Sequence, residues 1–337
     1  MILAPILVRV SERAGLEALA RILAYVGYTW MGAILIFLVT GILADIFRLI
    51  IYVAGKVFSK DFSFITSAHP FYFFTCLLAA LFVVIYGSFE ASNIRTEYLS
   101  IPTAKISKNI GRVRIAQISD VHLGLIIGEK RIKSIVNAIQ EAKPDILVST
   151  GDLVDGQLDN LESFSDYLRD IKTPHGKFAV TGNHEFYAGL TRALTFTKKA
   201  GFQILMGEVK QIPGLINIAG IDDEAVRGWS QGENKKEIDV LSKVDNSHFT
   251  VFLKHRPVAY DGPSRLFDLQ LSGHTHKGQI FPFGFIVRLF FSTYYGLHHL
   301  NNGTYLYVSR GTGTWGPPIR FLAPPEVTII DLIHKAN

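Results

Sequence analysis

Hydrophobic positions are arranged in two ways along this 337-residue chain. In the first 90 residues they run together, and from Val113 onward they fall into short blocks separated by polar turns. No charged side chain occurs over the 23 positions from Ile22 to Ala44, nor over the 20 from Pro70 to Phe89. About 20 apolar residues in a helix suffice to cross a bilayer core. Tyr25, Tyr28, Trp30 and Tyr86 stand near the ends of these runs, as amphiphilic rings do at membrane interfaces. The pattern predicts two transmembrane helices, near 22–44 and 70–89, within an N-terminal membrane segment of residues 1–90. A cleaved signal peptide fits less well, because the run is too long, the charges before it are mixed in sign and a second run follows. The opening Met1–Val8 is apolar but too short to span. It could dock on the membrane surface or belong to a longer N-terminal segment.

Residues 91–112 read as a polar juxtamembrane linker containing Pro102 and Gly111. Over 113–337, β-rich runs alternate with amphipathic stretches. Strands are predicted over 113–119, 145–150, 177–181, 215–221, 249–255, 269–272, 304–309 and 327–332. Ile132, Ile135, Val136 and Ile139 recur at helical spacing within Glu129–Ala142, and Pro144 ends that helix. Residues 158–171 and 190–200 read as helices too. Strand–loop–helix alternation argues for an α/β domain with substantial parallel pairing.

Composition narrows the class. Apolar residues make up 48% and charged residues 19%, which excludes a disordered or collagen-like chain. Cys76 is the only cysteine, so no intrachain disulfide forms. The net charge of +5 is spread along the chain, and neither half is basic enough to argue for a nucleic-acid partner.

The chemistry-bearing residues stand where predicted strands end. Asp120 and His122 follow the first strand, Asp152 and Asp155 the second, and Asn183 and His184 the third. His255 closes a later strand, and His274 and His276 another. Ligand sites in open α/β sheets lie beyond the carboxyl ends of strands, so these five loops can converge. Asp, His and Asn without thiolate suit Mn²⁺, Fe or Zn²⁺. A D-x-H or H-x-H spacing directs two side chains of an extended segment to one side. A bridging carboxylate lets two cations stand about 3.5–4 Å apart. Any one of these matches is weak, and His255 alone would be an ordinary hydrogen-bonded histidine. The ordered set of five is a joint signal for metal binding.

In that order the loops read DxH, GDxxD, GNHE, H and GHxH, and from Val113 to about Leu332 the chain resembles the calcineurin-like metallophosphoesterases. The stretches 273–279, 309–313 and 324–328 resemble the membrane-associated phosphodiesterase branch of that superfamily, which includes UDP-diacylglucosamine pyrophosphatase-type members. The resemblance implies a four-layer αββα sandwich, here preceded by the two transmembrane helices. It implies two divalent metal ions. Asp120, His122, Asp152 and His276 would hold the first, and Asp152, Asn183, His255 and His274 the second. Hydroxide between the ions would attack phosphorus, His184 would be the general acid and Asp155 would orient it. Asp155 could instead be a loop cap, and Glu185 has a weaker case as support behind the ligands. Gly156 stands where protein phosphatases of this superfamily carry a phosphate-clamping Arg, which argues against a phosphoprotein substrate. Lys277 reads as a solvated lysine rather than a phosphate contact.

Residues 280–291 hold five phenylalanines directly after two expected ligands. They read as an apolar flap, either core-filling or suited to a substrate with acyl chains. The expected function is a membrane-bound phosphodiesterase or pyrophosphatase acting on a lipid or nucleotide–lipid phosphoester. UDP-2,3-diacylglucosamine hydrolysis in lipid A synthesis is the specific alternative, and a nuclease or a non-catalytic membrane scaffold are further ones. Basic residues near the span ends (Arg9, Arg13 and Arg21 before the first span, Arg95, Lys105, Lys108, Arg112 and Arg114 after the second) outnumber Arg48, Lys56 and Lys60 between them. The positive-inside rule then predicts a multi-pass protein of the inner membrane with a cytoplasmic catalytic domain.

Overall fold

The computed structural model describes residues 3–66, 69–156, 162–225, 237–259, 265–300 and 303–336. The chain divides into two units, Met1–Glu90 with Gly316–Phe321, and Ala91–Trp315 with Leu322–Asn337.

The first unit is helical: α1 (Ala4–Arg13), α2 (Glu17–Val57), α3 (Ser63–Thr66) and α4 (His69–Ser92). Among the described residues α2 and α4 are long and apolar enough to cross a membrane. The 41 residues of α2 span about 60 Å, twice a hydrocarbon core of about 30 Å. It outruns the expected 22–44 and continues through Asp45 and Arg48, which pair with each other at 3.2 Å across one turn. Gly316–Phe321 packs against these helices. A Cβ at Gly87 would meet Ile319 Cγ2 at 2.3 Å, so only glycine permits that approach.

The second unit contains β1 (Arg95–Thr103), β2 (Arg112–Ile118), α5 (Glu129–Ala142), β3 (Ile146–Ser149), α6 (Glu162–Arg169) and β4 (Lys177–Ala179). There follow α7 (Asn183–Tyr187), α8 (Leu190–Lys199), β5 (Gln203–Ile204), β6 (Glu208–Ile212), β7 (Ile216–Gly220) and α9 (Glu237–Leu241). The last elements are β8 (Phe249–Leu253), β9 (Leu269–Ser272), α10 (Gly284–Phe290), β10 (Gly296–His299), β11 (Tyr305–Val308) and β12 (Glu326–His334). The strands form two six-stranded mixed sheets, ordered β1-β12-β2-β3-β4-β5 and β10-β11-β9-β8-β7-β6. Strands β2 to β5 are mutually parallel, as are β7, β8, β9 and β11, while β12 runs antiparallel to β2.

Apolar side chains fill three spaces, which makes the αββα stack. Ile115, Val148, Phe178 and Ile330 of one sheet meet Ile218, Val251, Leu253 and Leu271 of the other. Ile132, Ile135 and Ile139 of α5 and Phe196 of α8 cover the outside of the first sheet. Val240 and Leu241 of α9 join Phe252 and Phe267 outside the second.

Two expectations need correction. The stretch 91–112 is not a free linker, because β1 occupies it and pairs in parallel with β12 from Arg95↔Glu326 to Thr103↔His334. It is an edge strand, and an edge tolerates both Pro102 and polar side chains, so its sequence carries little apolar alternation. Within the flap, Gly284–Phe290 is a helix, α10, with no buried residue.

Ile115 is fully buried between the sheets. Replacing it with Ala should cost about 2–5 kcal/mol of stability, since the space cannot close completely. A thermal melt of the detergent-solubilised chain should show a midpoint lower by roughly 5–15 °C.

Candidate metal centre

The parallel strands of both sheets deliver their C-terminal ends to one place, and the loops that follow cross closely. Gly182 has an extended backbone, and both it and Gly273 are required for space: a Cβ at Gly182 would stand 2.2 Å from Asp152 Oδ1, and one at Gly273 1.9 Å from Ser119 Oγ. Asp120, His122, Asp152, His274 and His276 all have positive φ, between 50° and 73°. Non-glycine residues avoid that region, so five of the seven expected ligands lie in strained backbone.

The side chains form two adjoining half-sites. In one, His122 Nε2 faces His276 Nε2 at 3.1 Å, and Asp120 Oδ1 lies 3.5 Å from the latter. In the other, His274 Nδ1 faces His255 Nε2 at 3.1 Å. Asp152 Oδ2 stands between them, 3.8 Å from His122 Nε2 and 3.2 Å from His255 Nε2. Asp120, His122 and His276 could hold one ion, and Asp152, His255 and His274 another. Ligand atoms about 2.0–2.2 Å from one ion, at roughly 90–110°, stand about 2.8–3.6 Å apart, which spans the 3.1, 3.5, 3.1 and 3.2 Å separations, while the 3.8 Å from Asp152 to His122 is slightly wider. Asn183 is the further ligand expected for the second half-site: it directly precedes His184, and its Oδ1 is buried with no hydrogen-bond partner among the described residues. A buried amide oxygen left so is costly unless a cation takes it. The donor set therefore fits two divalent ions of the Mn, Fe or Zn kind. Oδ2 is the Asp152 oxygen that faces both half-sites, and Oδ1 accepts from the His184 backbone N–H at 2.8 Å.

Electrostatics split the histidines, favouring the neutral form of two and the charged form of two others. Burial pushes His122 down to about 4, and the neighbouring His184 adds to the shift. Burial, with the charges of His255 and Arg256, pushes His274 down to about 3. Burial alone would lower His255 as well, but the charge of Asp152 and the hydrogen bond to it raise it to about 10. The same partnership holds Asp152 well below the usual carboxylate range, although burial opposes it. His255 Nδ1–H donates to the Thr150 carbonyl at 2.8 Å, which aims Nε2 at the site. To hold an ion there His255 would have to release its Nε2 proton.

The loops 309–313 and 324–328 also find their use here. Arg310 Nε pairs with buried Glu326 at 2.5 Å, and Thr312 Oγ1 donates to the Glu326 carbonyl at 2.7 Å. Gly313 N–H then donates to the Asp120 carbonyl at 2.9 Å.

Comparison with known proteins decides the family. The calcineurin-like phosphoesterase family model matches residues 113–278. An uncharacterized metallophosphoesterase of Aquifex aeolicus is 40% identical over 77% of this chain and the whole of its own length. The chain belongs to the calcineurin-like phosphoesterases. A Danio rerio transmembrane protein with metallophosphoesterase domain is 29% identical, over 76% of this chain and 61% of its own. A crystal structure from Staphylococcus aureus named a putative 5'-nucleotidase superposes with TM-score 0.40 at 12% identity, over 67% of this chain and 55% of its own.

Eight of the nine expected site residues of this phosphoesterase are joined by close side-chain contacts, and Asn183 lies between Gly182 and His184 in the same loop. His184 Nδ1 is 2.9 Å from Asp155 Oδ1, and the same oxygen accepts from the Gly156 N–H, so Asp155 is both orienting partner and loop cap. Lys277 Nζ sits 4.5 Å over the Tyr295 ring. His298 and His299 join none of the candidate metal groups; they meet the Tyr295 carbonyl and the Tyr305 ring. Three residues were under-read in the sequence. Glu185 is fully enclosed, and its carboxylate accepts from the backbone N–H groups of Asp152, Leu153 and Gly182 at 3.0, 2.7 and 2.7 Å. Tyr187 and Trp315 flank His184, with ring centroids 5.4 and 6.0 Å away. Tyr187 lies three residues beyond His184 on α7, a helical spacing that the sequence did carry. Nothing in the pattern placed Trp315.

Glu185→Gln turns one acceptor into a donor against those amides. Bound metal, measured by elemental analysis after dialysis, should weaken by about 10–100-fold in apparent affinity.

Proposed function

We propose that this chain is a membrane-bound dimetal phosphoesterase that opens a phosphodiester or pyrophosphate bond in a lipid-linked substrate. The observation that carries the reading is Asp152 Oδ2 standing between two histidine pairs, with the His184–Asp155 pair at their edge. Two divalent ions held there would make a water molecule acidic enough to act near neutral pH and would offset charge gathering on the phosphoryl oxygens.

The chain's own residues supply the rest. Burial alone would lower His184, but the Asp155 hydrogen bond and the charges of Asp152 and Asp155 raise it above its ordinary value. That direction favours the protonated ring. Nδ1–H stays with Asp155, which leaves Nε2–H to be handed to the departing oxygen. Asp155 is held below the usual carboxylate range by the same bond, against the effect of burial, so it remains an acceptor.

The lipid-linked substrate is supported by the two apolar helices, by relatives named transmembrane proteins and by the apolar stretch after His276. The basic residues flanking the spans support the cytoplasmic face of an inner membrane. A nucleotide–lipid pyrophosphate such as UDP-2,3-diacylglucosamine is a second reading. It is favoured by the half-exposed rings of Tyr187 and Trp315 beside His184, which offer stacking faces to a base. The absence of a strongly basic half disfavours a nuclease.

Asp152→Asn should lower turnover of bis-p-nitrophenyl phosphate with Mn²⁺ by more than about 100-fold, because both half-sites lose their shared oxygen. Retention of a tenth or more of wild-type activity would show that Asp152 does not bridge. His184→Asn should keep its metals. It should slow esters with poor leaving groups far more than nitrophenyl esters, which need no proton. Equal losses on both kinds of ester would assign His184 a structural role.

A further inference from the structure

After His276 the chain turns large apolar side chains into solvent. No residue of α10 is buried, and Leu289 and Phe290 are 82% and 77% exposed in the full chain. Phe281, Phe283, Phe285 and Ile286 are exposed as well. At about 100° per residue, Phe285, Leu289, Ile286 and Phe290 fall within an arc of ~140°, and exposed Arg288 borders it about 60° from Phe285. An apolar arc with a basic border is the design of a helix lying in a membrane interface.

The patch is fastened to the loop that carries His274 and His276. A Cβ at Gly278 would meet Gly284 N at 2.3 Å, so the start of α10 rests directly on that loop. At the other end the Phe291 ring stands edge-on to His274, centroids 5.3 Å apart, and Thr275 Oγ1 donates to the Tyr294 carbonyl at 2.6 Å. Whatever covers α10 therefore sets the distance from itself to the metal centre.

We propose that α10, with Phe281 and Phe283, seats in the headgroup layer of an anionic bilayer and presents the metal centre to phosphoesters at headgroup depth. Two features favour a lipid surface over a protein. Arg288 at the border of the arc complements anionic headgroups. The chain also carries two helices able to cross a bilayer, and only Asn93 and Ile94 separate α4 from β1, so this unit is tethered to a membrane. The inference rests on the membrane-bound reading above, and it adds a contact made by the catalytic unit itself.

The test uses the full chain in nanodiscs containing phosphatidylglycerol and a headgroup-depth spin-labelled lipid. An environment-sensitive fluorophore is attached at Leu289→Cys in a Cys76→Ser background, with Lys243→Cys as the comparison site. The label at 289 should shift its emission to the blue and be quenched at least about threefold more than at 243. Raising the phosphatidylglycerol fraction should deepen the quenching, and Arg288→Glu should remove that dependence. A label at 289 that stays water-like overturns the proposal. So does a blue shift without lipid quenching, which would mean a second copy or another segment covers α10. Equal phosphatidylglycerol dependence with Arg288→Glu overturns the anionic selection. Hydrolysis of bis-p-nitrophenyl phosphate by the same preparation separates the two readings. Hydrolysis without quenching sinks the docking alone, and quenching without hydrolysis sinks the enzyme reading alone.

Discussion

The structure depends on how closely five loops can cross at the ends of two sheets. Each loop must bring a side chain to within about 3 Å of a side chain from another, so their backbones must nearly touch. Gly151, Gly182, Gly273 and Gly313 are the points of contact. A Cβ at Gly151 would lie 2.6 Å from Gly182 N, and one at Gly313 would lie 2.0 Å from the Val121 carbonyl oxygen. These glycines stand beside the ligands because the ligands are the reason for the crossing. Gly151 and Gly273 directly precede Asp152 and His274.

The crossing has an energetic consequence. Five non-glycine residues with positive φ cost of the order of 1–3 kcal/mol each. Asp120 and Asp152 are buried beside each other, and burial pushes Asp120 up to about 6 despite the nearby His255. Such an arrangement persists only when the surroundings over-determine it. Here they do so through Glu185, whose carboxylate gathers the amides of two loops, and through Ser119 and the His274 amide, which both bond Asp120. Burial raises Glu185 itself to about 7, and the charge of Asp152 adds to it. A bound cation would relieve the same repulsion, so metal occupancy and stability should rise together.

What was legible in the sequence follows from this economy. Strand-end Asp, His and Asn are conspicuous because little else explains them there, and eight of the nine expected residues touch one another through their side chains. Helix α5 is bounded as expected at Glu129 and Ala142, since its apolar stripe and Pro144 speak locally. Strand β1 was hidden, because an edge strand buries mainly Ile101 and reads as a polar stretch with a proline. Short β5 and β6 were missed for a similar reason, since two or five residues at a sheet edge give no period to detect. Glu185 was undervalued because its role is to hold backbone amides, and no spacing rule announces that. Trp315 reaches His184 only through tertiary folding, its backbone pinned by Gln279 at 2.8 Å in both directions.

The strands themselves carry a gradient that ties the fold to the site. Each begins apolar between the sheets and ends in small polar residues: Ile118 to Ser119, Val148 to Ser149 and Thr150, Val180 to Thr181, Leu271 to Ser272. All of these are buried. Gln117 sits where the change occurs, and its Nε2 donates both to Thr150 Oγ1 within its own sheet and to the Ser272 carbonyl in the other, each at 3.0 Å. The apolar end resists separation of the sheets but is tolerant of small slides, since hydrophobic burial is non-directional. The polar end is directional, and a slide of 1 Å would break Gln117's bonds and pull Asp120 away from His274 and His276. Asp120 accepts from the His274 N–H at 2.9 Å, so one sheet's ligand is hydrogen-bonded to the other sheet's ligand loop. Sheet registry and ligand geometry are therefore one constraint. That is why the half-sites draw on both sheets rather than on one.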